Sequence, residues 1–441
     1  MEKRLLKITD YVIRFLLGDE NSEVANTVAY SSNPDLFANY KLVIIPSHFF
    51  NTDVYATEKT LPDLPLQQWA GIPMLFGSPK TEKAGETVIL HADIVASTFF
   101  LITRYEETIN RTERDEHGRF PGKSSLPFRA GFLHQPIVDE YGHELRKLLR
   151  STGVNVIEPK KEFNKIYLTH DVDQLAHYRN LRGMGGALTR GLKNPHQAFK
   201  ALQTFLGGVR FDPWFTFPWL FSLCAILQLE RPEMDIESIV FIKSGGGESA
   251  RDKPLHNLAS NDFQYLFELT KQNDIRIGLH PSYQAGDDTS FIAKEKKILD
   301  DAVGQNTVYT RNHFLRSRDP EDMQALLDAG LTDDFTLGYA DIAGFRLGTC
   351  RSVRWVNPVT LELTSLTLHP LTMMDNTLYD SRYMNLTAAK AFEYAKQITD
   401  EVRKHNGDLV LLWHNTSVEK DIGLYSRRLY EKIMNYLVEV R

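Results

Sequence analysis

The chain has 441 residues, 42% hydrophobic and 24% charged, with a net charge of −6. That length exceeds one small core and predicts two domains. The acidic balance, with a pI near 6.2, leaves no basic excess to neutralise nucleic-acid phosphates. Only Cys224 and Cys350 are present, which excludes a disulfide framework and a cysteine-built zinc site.

The opening MEKRLLKITDYVIRFLLGDE is basic and then partly apolar, but Asp10 and Arg14 interrupt the apolar run and no small-residue cleavage site follows. No apolar run reaches the roughly eighteen residues of a membrane span. A cytoplasmic protein is expected. Up to residue 155, KLVIIPS (41–47) and ETVILHAD (86–93) read as strands. DIVASTFFLITRYEE reads as a helix capped by Asp93, and PIVDEYGHELRKLLRSTG as a second with a proline start and glycine stop. The polar stretch TINRTERDEHGRFPGKSS between them reads as a long surface loop, and VNVIEPKKEFN (154–164) as a linker. An accessory α/β domain over 1–155 and a second domain over 165–441 are therefore expected, with 151–164 between them.

Past the linker, strand-like runs at IYLT (166–169), SIVFI (238–242), IRIGL (275–279), HFLR (313–316) and DLVLLW (408–413) alternate with helical stretches. Such alternation implies a parallel sheet or barrel. KSGGGESA (243–250) lacks the Lys-Ser/Thr of a phosphate loop and reads as an ordinary loop.

In parallel βα architectures the reactive groups gather at the carboxyl ends of the strands. Asp171 and Asp173 lie two positions apart in IYLTHDVD, so both project to one side of the chain. Two unpaired carboxylates at a core edge are costly, and a metal ion, an arginine or water should answer them. Other strand ends offer His280, His414 and the group Arg311, His313 and Arg316. Each has a plain structural reading: a lone strand-end histidine is more often a hydrogen-bonded structural residue, and Asp-x-Asp often caps a turn. Their coincidence at equivalent strand ends points to a divalent-metal site.

In order, THDVD (169–173), GLHPSY (278–283), GFRLGT (344–349) and LLWHN (411–415) resemble the polysaccharide deacetylases, carbohydrate esterase family four. The likeness is to the branch whose first motif is Asp-x-Asp or Asp-x-Glu, and it covers about residues 165–418. FFLITRYEE and DEHGRFP resemble an accessory domain found before deacetylase-like proteins in some bacteria. The resemblance implies a distorted (β/α) barrel of about seven strands, preceded by a smaller α/β domain. It also implies metal-dependent removal of an acetyl group from an amino sugar, with zinc as the expected ion. By position, Asp171 matches the general base, Asp173 the metal-binding carboxylate and His280 a metal-binding histidine. Arg346 matches the arginine that orients the base, and His414 the acid that protonates the leaving amine.

The sequence departs from the family at one place. Its second motif usually carries another histidine three or four residues on, where Tyr283 and Gln284 stand here. Catalytic zinc normally takes three protein ligands, so His313 is the expected replacement. His170 is the second candidate for that ligand, although it should face away from Asp171, and His369 the third, although its apolar neighbours suit packing. Trp413 is expected in the core, Tyr283 could stack on a sugar, and Ser282 should bond locally. The expected substrate is a saccharide or a nucleotide- or lipid-linked sugar precursor. Two alternatives stay open: another metal-dependent amidohydrolase or phosphoesterase, and a non-catalytic saccharide- or partner-binding barrel.

Overall fold

Residues Glu2–Leu17 fold as an amphipathic helix, α1, and this explains the broken apolar run at the amino terminus. Ile8, Val12 and Leu16 recur on one face and are fully buried. Asp10 and Arg14 pair on the other face at 2.9 Å. The computed structural model describes residues 2–179, 185–186, 195–420 and 424–440. Among them no helix is long and apolar enough to cross a membrane.

The N-terminal region builds a four-stranded sheet in the order β1 (Val28–Tyr30), β2 (Leu42–Ile44), β6 (Thr87–Ala92), β5 (Gly77–Ala84). A separate hairpin joins β3 (Gln67–Trp69) to β4 (Ile72–Met74). The helix α2 (Ile94–Ile102) starts where Asp93 Oδ1 accepts the backbone N–H of Ala96 at 2.9 Å, as expected of an N-cap.

Residues from 165 onward form a nine-stranded sheet: β12 (Val353–Asn357), β13 (Glu362–Leu368), β11 (Asp333–Asp334), β10 (Tyr309–Thr310), β9 (Arg276–Leu279), β8 (Ile236–Ile242), β7 (Lys165–Val172), β15 (Asp408–Leu412), β14 (Met373–Met374). Every neighbouring pair is parallel except β12 with β13. The order has two ends and no pairing between them among the described residues, so the sheet is not closed by hydrogen bonds into a seven-stranded barrel. Tyr167, Ile239, Phe241, Val410 and Leu412 meet Phe335, Leu371 and Met374 in one enclosed cluster. The alternate residues Ile166, Leu168, Val240, Ile242, Leu409 and Leu411 join the main core on the outer face.

Two expectations change. HFLR (313–316) is not a strand; a tight turn spans His313–Leu315, and the strand is the two-residue β10 before it. The segment 110–125 is not a free surface loop, since His117, Arg119 and Phe120 are buried. The regions on either side of 155–164 share no sheet, yet one hydrophobic cluster runs through both. At the far edge, β12 is met by α1: the backbone N–H of Arg354 donates to Tyr11 Oη at 2.8 Å, and Arg4 Nη1 donates to the carbonyl of Thr360 at 2.7 Å.

Candidate metal centre

Strand parity puts Thr169 and Asp171 on the inward side of β7 with Tyr167, and Asp173 follows just past its end. His170 has the opposite parity. Its Nδ1 donates to the carbonyl of Trp413 at 2.9 Å, and burial pushes its pKa down to about 4.

The question raised by Asp-x-Asp has a separate answer for each carboxylate. Asp171 is met by Arg311, whose Nη1 donates to its Oδ1 at 3.0 Å and to Thr169 Oγ1 at 2.7 Å. Arg311 Nε donates to the carbonyl of Phe335 at 3.0 Å, and its guanidinium lies 4.6 Å from the centre of the Phe241 ring. Both side chains are buried, at 0% and 4% exposure.

Asp173 is met by histidines. Its Oδ1 lies 3.3 Å from Nε2 of His280, which follows β9, and 3.3 Å from Nε2 of His313, which follows β10. The ligand atoms of these three residues fall within 4.8 Å of one another. Asp173 Oδ1 and His280 Nε2 are buried and have no hydrogen-bond partner, a costly state unless something else binds them. His280 Nδ1 lies 2.6 Å from the carbonyl oxygen of Arg311. A carbonyl can only accept, so the proton sits on Nδ1 and the lone pair on Nε2, aimed at Asp173. Behind His313, Asp252 Oδ1 stands 3.9 Å from Nδ1. It is itself fixed by the backbone N–H groups of Tyr283 at 2.7 Å, Gln284 at 3.2 Å and Gly247 at 3.3 Å. Two imidazole nitrogens and a carboxylate oxygen fit zinc or a similar divalent ion.

The charges agree with this geometry. Burial opposes ionisation of Asp173, but the charge of His313, the nearness of the two imidazoles and the charge of His414 hold its carboxyl well below the usual range. Burial likewise opposes charge on His313, and Asp173 outweighs it and raises the imidazole. Asp252 is brought down to about 2, because the nearby His313 imidazole and three backbone amides outweigh its burial.

His414 follows β15 with Nε2 3.8 Å from Asp173 Oδ2. Its Nδ1 lies 2.8 Å from Oδ1 of the buried Asp375, whose other oxygen also accepts from Ser417 Oγ. Burial would lower this imidazole, but Asp375 and then Asp173 and Asp171 push it up to about 10.

Arg346 does not orient Asp171. Its Nε and Nη2 donate to Glu107 at 2.9 and 2.7 Å, and Nη1 donates to the carbonyl of Gly338 at 2.8 Å. The cause is topological. The segment around Arg346 runs against the N-terminal region, with the N–H of Phe345 on the carbonyl of Leu133 and the N–H of Val138 on the carbonyl of Gly348, both at 2.9 Å. Arg311 stands where Arg346 was expected. Tyr283 lies between the Arg316 guanidinium, 4.0 Å from its ring centre, and the His117 ring, so its face is already covered. Trp413 is fully buried. Ser282 Oγ donates to Glu295 Oε1 at 2.6 Å. His369 stacks on Phe335 with its ring nitrogens 2.9 Å from Ser352 Oγ and 2.8 Å from Asp333 Oδ1. A cleft of about 420 Å³ opens between the N-terminal loop and the inward cluster, lined by Arg119, Phe120, Lys123, Asp341 and Tyr383 among others.

Residues 5–153 match the family described as "Family of unknown function (DUF7033)". No curated protein matches the chain in sequence. Among solved structures, the chain is similar to an inferred polysaccharide deacetylase from Mycobacterium smegmatis, at 15% identity and a TM-score of 0.41 over 64% of this chain and 86% of that one. It is also similar to Puue allantoinase, at 12% identity and a TM-score of 0.36 over 66% and 90% of the two chains. A third is the polysaccharide deacetylase Bc1974 from Bacillus cereus, at 11% identity and a TM-score of 0.26 over 49% and 82%.

Proposed function

We propose that the chain is a metal-dependent amide hydrolase that removes an N-acetyl group from an amino sugar. The observation that carries this reading is the convergence of Asp173, His280 and His313, two of whose ligand atoms are buried without a partner, between a carboxylate and an imidazole each fixed by its own counter-charge. Those three residues would hold a divalent ion, which would supply Lewis acidity toward an amide carbonyl and lower the pKa of water.

The chain's own groups then divide the proton transfers. Asp171 is the base: Arg311 occupies Oδ1, while Oδ2 faces the centre 3.8 Å from His280 Nε2 and takes the proton of the attacking water. His414 is the acid. Asp375 orients it through Nδ1 and favours the imidazolium, so Nε2 holds a proton to give the departing nitrogen as the C–N bond breaks. Acetate and a free amine result. The order of the motifs in residues 169–415 supports the sugar character of the substrate.

The test is acetate release from acetylated amino sugars, nucleotide-linked ones included, by protein loaded with zinc. Activity that needs the metal and is lost in Asp171→Asn supports the reading. A folded, metal-loaded protein that releases no acetate from any of them rejects it, and a chain that binds sugar without metal favours the non-catalytic alternative.

A further inference from the structure

We infer that residues 104–119 of the N-terminal region position His313, so that the metal centre is completed by a part of the chain outside the sheet that bears it. The inference rests on the reading of His313 as a metal ligand.

Immediately after His313, Phe314 and Leu315 both take left-handed backbone conformations, with φ of 62° and 54°. Bulky side chains rarely adopt that region, and they keep it only where the surroundings over-determine it. No glycine or asparagine follows His313 to ease the turn, so the restraint must come from contacts. From its own side the segment is held by Asn312, whose Nδ2 donates to the carbonyl of Arg316 at 2.9 Å.

The N–H of His313 also donates to the carbonyl of Pro281 at 3.0 Å, and the Tyr283 ring packs 5.2 Å from that of Phe314; a further restraint comes from the N-terminal region. Arg119 Nη1 donates to the carbonyl of Phe314 at 3.1 Å. Its guanidinium is aimed there by Asp115, which accepts from Nε at 2.7 Å. The same aspartate closes the loop by accepting the backbone N–H groups of His117 and Arg119, both at 2.9 Å. The ring of His117 packs 4.8 Å from that of Phe314. Three residues farther on, Arg104 Nη1 donates to Ser317 Oγ at 3.2 Å and Nη2 to Asp319 Oδ2 at 2.8 Å, with Arg104 and Asp319 each only 1% exposed. One stretch of the N-terminal region thus grips the His313 segment at Phe314, Ser317 and Asp319. A metal ligand held this way keeps its imidazole in register with Asp173 and His280, and outer contacts of this kind are worth about 10- to 100-fold in metal affinity.

The test is a cobalt(II) titration of the full chain, followed by affinity and by the visible absorption of the bound ion, which reports its ligand set. Wild type is compared with Arg119→Ala, His117→Ala and the reference His313→Ala, and near-ultraviolet circular dichroism checks the fold of each. Arg119→Ala should stay folded, bind cobalt about 10- to 100-fold more weakly and shift its spectrum toward that of His313→Ala. If Arg119→Ala does not fold, the same weakening and shift in His117→Ala carry the test. Cobalt bound as tightly as in wild type, with an unchanged spectrum, in the folded variants while His313→Ala loses it would overturn the inference and leave the centre intact. A wild-type chain that binds no cobalt, or a His313→Ala chain that binds as wild type does, overturns the reading beneath it and the inference with it.

Discussion

Asp375 accepts two hydrogen bonds from a single residue, the backbone N–H of His414 at 2.9 Å and its Nδ1 at 2.8 Å. The carboxylate is fully buried, so the imidazole beside it is favoured in its charged form and stands raised to about 10. A group raised in the folded state contributes stability below its unfolded value, about 6.5 for histidine, and that contribution is lost as pH rises through the folded value. In metal-free protein, the gap in unfolding free energy between wild type and Asp375→Asn should therefore be wide at about pH 6 and close toward pH 10. Urea unfolding at a series of pH values checks it. A constant gap would mean that His414 is not charged by Asp375.

The buried pair of Arg311 and Asp171 makes a different demand. Removing one partner leaves the other as an uncompensated buried charge, at about 3–5 kcal/mol. Arg311→Met should be destabilised by that order, and Asp171→Asn added to it should recover much of the loss. Asp171→Asn alone should keep bound metal and lower turnover by about 10²–10⁴-fold. Denaturant unfolding of the two single variants and the double, beside metal analysis, measures both effects.

Metal binding should release a proton. Asp173 raises the His313 imidazole above its ordinary range, and a nitrogen must be deprotonated to bind a metal. Apparent affinity should thus rise with pH through neutrality. Calorimetric titration with zinc in buffers of different ionisation enthalpy reads the proton directly. Asp173→Asn and His313→Ala should each bind less metal, and in His313→Ala the released proton should vanish.

The Arg346–Glu107 pair joins the N-terminal region to the rest of the chain through two hydrogen bonds between buried side chains. Arg346→Ala should lower unfolding free energy by about 3–5 kcal/mol in denaturant unfolding, because it leaves Glu107 with only the longer Arg104 contact at 3.4 Å. Protease should cut the exposed stretch at Lys160–Glu162, and the two fragments should co-elute on a sizing column until denaturant is added. Fragments that separate without denaturant would show the shared core to be weaker than its burial implies.

The strands and helices past residue 165 were legible where apolar runs met turn residues, as at β7, β8 and β15. HFLR misled because its apolar content suits a strand, while Phe314 and Leu315 turn left-handed under contacts from a distant loop. Asp173 and His280 were legible as candidates because each follows a parallel strand, whereas His313 was reached through the HFLR run, which is not one. Arg346 was not legible, since motif order says nothing of Glu107, 239 positions away, which it meets. Asp375 could have been found: it ends the apolar run LTMM at a strand end, the same signal that marked Asp171. Asp252 carried no such signal, lying in a glycine-rich loop whose fold depends on the amides it binds.

The contact between Tyr11 and Arg354 bears on how this protein behaves in a crowded solution. β12 ends its sheet, and a bare end strand is a template on which another chain can add itself. The first helix meets one of its outward N–H groups and, through Arg4, ties down the turn that follows. A chain cut after Leu17 would keep every residue of the metal centre, yet light scattering at rising concentration should show it gathering into insoluble particles. α1 thus both fills the main core with Ile8, Val12 and Leu16 and covers part of the β12 edge.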